Sequence, residues 1–215
     1  MNKVSKKNII NVLLYTIGII STGLGINVLI KSSLGAGAWD AVANNFSKFA
    51  NITLGSAGAI VNIIILAFII LYNKKIKFLF VIVPIIGIAL ATDFWDIIVF
   101  GDYVPTEYWL KLIFFVVGTA ILTFGLTSII ISTFPAMVYD ELTIAFMKIL
   151  SIKSFFSTRI GIEMLGVSIA ILFGFLADIR FGAVSFGTLI LSIIIGPLIS
   201  LHMKWMEYVF HQKRI

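Results

Sequence analysis

Between Ile60 and Tyr72 the sequence reads IVNIIILAFIILY, thirteen residues without a charge. Similar runs recur along the chain, at about 9–30, 56–72, 78–100, 111–132, 158–176 and 183–203. Each approaches or exceeds the roughly 20 apolar residues that carry a helix across a bilayer. Few folds survive that constraint. The 215 residues are 60% hydrophobic and only 12% charged, too little polar surface to coat a water-soluble domain of this size. The runs do not alternate polar and apolar residues as barrel strands do, so the spans are helical. The expected fold is an all-α membrane protein with six transmembrane helices, one integral membrane domain over 1–215.

The net charge of +6 belongs to topology. The cations sit at the ends of the apolar runs, which argues against nucleic acid as a partner and for the lipid bilayer. With the N-terminus in the cytoplasm, the inner segments hold Lys3, Lys6, Lys7, Lys74, Lys75, Lys77, Lys148, Lys153, Arg159, Lys204, Lys213 and Arg214. The outer segments hold Lys31, Lys48, Lys111 and Arg180. Twelve against four favours both termini inside. The first run is longer than the roughly 7–15 residues of a signal core, so it is expected to stay as the first helix. There are no cysteines and two distant histidines. Thiolate chemistry is thereby excluded, and a dedicated metal site is not expected. No P-loop, G-x-S-x-G or H-E-x-x-H pattern occurs, so neither an enzyme nor a cofactor is expected.

Two long interruptions, 31–55 and 133–157, are related by a shift of 100 positions. Gly18 falls on Gly118, Gly25 on Gly125, Ser32 on Ser132, Ala36 on Ala136, Asp40 on Asp140, Phe46 on Phe146 and Lys48 on Lys148. Eleven of 61 pairs are identical over 12–72, and Trp39 meets Tyr139. Trp39, Val42, Phe46 and Phe49 make one apolar face of a short helix, and Tyr139, Leu142, Phe146 and Ile149 repeat its spacing. Each copy contains three spans, an odd number, so the second must enter the membrane upside down. Two inverted three-helix repeats, 9–103 and 109–210, with short amphipathic or re-entrant helices interrupting them, are therefore expected. Secondary transporters often follow this plan, with the site where the irregular elements meet.

The substrate-binding candidates are Ser33, Gly35, Gly37, Trp39, Asp40 and Asn44 in the first copy, and Thr133, Pro135, Tyr139 and Asp140 in the second. Glycines allow close backbone approach, and Ser33 is placed to cap a helix starting near Gly35. Pro135 suits a first helical turn. A carboxylate within the membrane is expensive and faces a cavity or a partner. An outer loop leading into an interfacial helix accounts for the same residues. Asp93, Asp96 and Glu163 are the ion-coupling candidates. The first two lie three apart near a span end, where solvated carboxylates are the simpler reading. Glu163 stands four residues after Arg159, the spacing of a helical ion pair. His202 reads as interfacial packing.

At IKSSLGAGAWDAV the chain resembles the YczE/YyaS/YitT family of bacterial membrane proteins. A serine-rich turn there precedes a leucine–glycine, small-residue, tryptophan–aspartate motif. It maps onto Ser33, Leu34, Gly35, Gly37, Trp39 and Asp40, with Ala38 where the family often has proline. FGTLILSIIIGPLIS at 186–200 is similar to the family's last span, with Ser200 in place of a frequent aspartate. The resemblance implies a bacterial cytoplasmic membrane protein, in the short form without a soluble C-terminal domain. The leading expectation is a small secondary transporter or exporter of an unknown solute. The alternative is a non-transporting scaffold or substrate-capture subunit, acting as a homo-oligomer or with a membrane partner.

Overall fold

The computed structural model describes residues 3–135 and 138–210. Ala136, Lys213 and Arg214 lie outside the described residues. Among the described residues every regular element is helical. In chain order these are α1 (Lys3–Ser32), α2 (Ala38–Ala50), α3 (Leu54–Asn73), α4 (Ile82–Asp93), α5 (Tyr108–Ile131), α6 (Tyr139–Ile149), α7 (Phe155–Leu176) and α8 (Phe186–Phe210). A 3₁₀ turn, Ile76–Val81, leads into α4, and α4 widens into a π-helical stretch, Phe94–Phe100. Among the described residues, six helices are long and apolar enough to cross a membrane. Their outer faces leave Ile64, Leu71, Leu90, Ile98 and Val116 exposed, apolar surface that a bilayer covers.

The last span begins at Phe186 rather than near 183. The Ser185 N–H bonds to the Thr188 hydroxyl instead of continuing a helix from the turn before it.

α1 and α5 form the central pair, and they run antiparallel. The contacts that establish this are glycine contacts. A Cβ on Gly25 would come 2.5 Å from the Leu122 backbone nitrogen, and one on Gly125 2.6 Å from that of Thr22. On Gly18 it would stand 2.9 Å from the Ile129 nitrogen, and on Gly118 2.9 Å from that of Leu29. As α1 is followed upward, its neighbours on α5 descend. Small residues let the two backbones touch, the usual means of association where lipid is the solvent. α4 flanks α1, with Asn27 Nδ2 bonded to the Thr92 carbonyl at 2.9 Å. α8 flanks α5, where His202, half-buried, stands edge-on to Phe124.

Local details also repeat at matched positions. The Ser32 hydroxyl donates to the Leu29 carbonyl and accepts from Leu34 N–H, and Ser132 does the same with Ile129 and Phe134. Ser33 and Thr133 both adopt positive φ, 56° and 65°, and so do Asn51 and Ser151, at 53° and 54°. Turns of the same kind thus release the chain before and after each short helix. The two halves differ in how their outer helices meet. α3 lies closely along α4, whereas α7 and α8 touch sparsely.

Candidate functional site

α2 and α6 bring their N-termini together at the middle of the molecule. The Trp39 and Tyr139 rings stack there, 5.4 Å between centroids and 27° between planes. Beside this stack lies a cavity of about 550 Å³. α1 and α5 supply apolar wall through Ile26, Leu122 and Ile129, and α8 supplies Leu191 and Ile195. The ionisable groups come from α2, α6 and α7: Asp40, Tyr139, Asp140, Arg159 and Glu163; Thr22 of α1 and Ser192 and Ser200 of α8 add hydroxyls.

Arg159 joins two of the carboxylates. Its Nη1 is 2.7 Å from Asp140 Oδ1 and its Nε 3.1 Å from Glu163 Oε1. Glu163 is buried on α7, while Asp140 is exposed. Asp40 stands in the first turn of α2, half-buried against the cavity. It has no hydrogen bond or ion pair among the described residues. Burial, and then the charge of Glu163, push its pKa well above the ordinary carboxylate range. Burial likewise raises Tyr139, with Asp40 and Glu163 adding to the effect. A Cβ on Gly37 would sit 2.6 Å from Asp40 Oδ2, so a larger residue there would turn the carboxylate aside.

Gly37, Trp39, Asp40, Tyr139, Asp140 and Glu163 therefore share one cavity. The other candidates lie elsewhere. Ser33 does not cap α2; it ends α1, and the N-cap is Gly37 with no side-chain bond. Gly35, φ +130°, would carry a Cβ 2.5 Å from the Thr188 nitrogen, so it seats the loop on α8. The Leu34 carbonyl beside it accepts from Gly187 N–H and the Ser185 hydroxyl. Asn44 is half-buried and donates to Asn45 Oδ1 at 3.2 Å. Thr133 accepts from Asn11 at 3.2 Å. Pro135 precedes α6 rather than opening it, and its carbonyl accepts from the Tyr15 hydroxyl.

Asp93 and Asp96 do not form a pair. Asp93 accepts from the Thr53 hydroxyl at 2.7 Å and from Gly55 N–H at 2.6 Å, closing the start of α3. Asp96 pairs with Lys31 at 3.1 Å, and Lys31 also reaches the Gly101 carbonyl. The helix widens into its π turn directly after Asp93, so residues three apart no longer share a face.

The residue that sequence reasoning missed is Asn45. It is fully buried, its Nδ2 donating to the Ala170 and Phe181 carbonyls at 2.8 and 3.1 Å, its Oδ1 accepting from Ala183 N–H at 3.0 Å. It fixes α2 to α7 and to the turn that follows α7. The adjacent amides of NNF were the available signal, since a helix facing only lipid and apolar neighbours has little use for two.

Among known proteins, the chain is 26% identical over 199 residues to the uncharacterized protein YyaS of Bacillus subtilis (strain 168), covering 93% of this chain and 95% of that one. No solved structure matches it. Residues 9–204, nearly all of the six spans, match a described family, in keeping with the resemblance carried by residues 30–42. The chain belongs to that family, the family of unknown function DUF6198.

Proposed function

We propose that the chain is a small secondary transporter or exporter, working by alternating access through two inverted three-span repeats, 9–103 and 109–210. The observation that carries the reading is the cavity at the junction of α2 and α6, with Asp40 and Asp140, matched in position, on its wall. The reciprocal glycine contacts support the inversion. Gly25 meets Leu122 as Gly125 meets Thr22, and Gly18 meets Ile129 as Gly118 meets Leu29. Antiparallel pairing of equivalent helices with exchanged contacts is what a two-fold axis in the membrane plane produces.

The difference between the halves fits one state of such a cycle. α7 and α8 part around the cavity. Their counterparts α3 and α4 are held shut by Asp93 on Thr53 and Gly55, and Asp96 and Lys31 pair beside them. With both termini in the cytoplasm, as the lysines and arginines favour, the Arg159 end is cytoplasmic and the closed end external. In this reading the opposite state parts α3 from α4 and closes α7 on α8.

The test is reconstitution of the purified chain into proteoliposomes and a solute screen with and without a proton gradient. Gradient-dependent flux that Asp40→Asn changes at undiminished folding supports the proposal. No flux of any solute, together with a stoichiometric membrane partner on copurification, transfers the chain to the scaffold class. Impermeant thiol labelling in intact cells tests the orientation: Tyr103→Cys should label and Lys75→Cys should not.

A further inference from the structure

The ionisable groups on the cavity wall come from three helices. Asp40 is on α2, Tyr139 and Asp140 on α6, and Arg159 and Glu163 on α7; α1, α5 and α8 contribute none. Lys48 lies two turns along α2, away from the wall. Three carboxylates therefore face one guanidinium, and that guanidinium is engaged by Asp140 and Glu163. The N-termini of α2 and α6, helices of 13 and 11 residues, add about half a positive charge each. The sum leaves the cavity short of about one positive charge. Asp40 is the carboxylate without a partner among the described residues.

The remaining wall is mostly aromatic and aliphatic, with the hydroxyls of Thr22, Ser192 and Ser200 as its uncharged polar groups. A bare inorganic cation asks for a shell of oxygens, commonly six or more. Among the described residues no group of three or more histidine, cysteine, aspartate or glutamate side chains is arranged to hold a metal. An anion would meet excess negative charge, with Arg159 already occupied. A large organic cation satisfies each part of the wall at once. Its charge neutralises the carboxylate, its body covers Leu122, Ile129 and Leu191, and the stacked Trp39 and Tyr139 rings stand on the same wall. A volume of about 550 Å³ holds one molecule of drug size.

Resting on the transport reading above, we propose that the cavity binds one lipophilic organic monocation, with Asp40 as its counter-ion and the Trp39–Tyr139 stack as its aromatic seat. In the empty cavity burial favours a proton on Asp40, so the cation and the proton compete for one carboxylate. That competition supplies the link between proton movement and solute movement.

The probe is tetraphenylphosphonium, with tetraphenylborate as its counterpart of the same shape and opposite charge. Binding to the purified chain in detergent is followed by calorimetry and tryptophan fluorescence. The phosphonium is expected to bind at least about tenfold more tightly than the borate. Its affinity should rise by up to about tenfold per pH unit on the acid side of the Asp40 titration and level off above it, as one-proton competition requires. In weak buffer at a pH where Asp40 is protonated, binding should release close to one proton. Asp40→Asn should lose the pH dependence and at least about tenfold in affinity, while Lys48→Gln should retain both. The proton-release measurement uses the unaltered chain, so it decides even where Asp40→Asn fails to fold. No preference for the phosphonium, or binding without proton release, overturns the cation assignment. Proteoliposome flux of a neutral or anionic solute would leave the transport reading standing while this one falls. Phosphonium binding without flux of any solute would do the reverse.

Discussion

Replacing Asn45 by alanine should be among the most damaging changes available in the short helices. The substitution removes three hydrogen bonds to groups 125 to 138 positions away in sequence. A polar contact between membrane helices is worth about 0.6 kcal/mol on average, and a buried bond in a water-soluble protein about 1 kcal/mol. Three therefore contribute about 2–3 kcal/mol. The Phe181 carbonyl keeps its bond from Val184 N–H, but the Ala183 N–H is left facing the hole. That orphan adds about 1 kcal/mol or more. The expected loss is about 3–4 kcal/mol, read by titrating the purified chain from mixed micelles with dodecyl sulfate and following helix content. Asn73→Ala is the control. Its amide makes one bond to the Ile69 carbonyl of its own helix, and the expected loss is about 0.5 kcal/mol or less. If the two variants unfold at the same detergent fraction, Asn45 does not hold α2 in place and the described packing of α2 on α7 is wrong.

The glycine contacts make a symmetric claim. Gly25→Val and Gly125→Val should each destabilise by about 1–3 kcal/mol through overpacking, and by nearly the same amount; a large inequality in their unfolding midpoints would contradict reciprocal contact. Arg159→Gln strands the buried Glu163 carboxylate and should cost about 3 kcal/mol, with much of it restored when Glu163→Gln is added. A double variant no more stable than the single one would show that the two side chains do not depend on each other. Asp40 has its folded-state pKa raised, so its contribution to stability is present in acid and lost as pH rises through that pKa. Asp40→Asn should accordingly shrink the difference in thermal midpoint between about pH 5 and about pH 9; an unchanged difference would mean Asp40 is solvated.

Much of the fold is written in features that act over one helix turn or one bilayer. A run such as 60–72 has no soluble alternative, so the spans could be read to within a few residues. The Arg159–Glu163 pair was legible because its spacing is a property of the helix. The Arg159–Asp140 bond was not, because it joins separate elements. Asn45 stayed hidden for a related reason: an amide facing water and an amide clamping two carbonyls look alike in sequence. The separate partners of Asp93 and Asp96 were not legible either, because a spacing of three is read on an α-helical turn and the chain widens there. Ser33 and Gly35 were read as parts of a site because they adjoin Trp39 and Asp40. Adjacency in sequence was lost at the left-handed turn that sends them towards α8.

The attachment of α2 also divides the molecule mechanically in a way that its covalent order does not. Asn45 and the contacts of Phe46 and Phe49 with Phe173 tie α2 to α7, a helix of the other half. Its own half holds α2 through its packing on α3 and through a few linking residues on each side, with Ser33, Gly35 and Asn51 in left-handed backbone. On the transport reading, a swing of α7 would pull α2 against its packing on α3, so Asp40 stands on a helix that both halves hold.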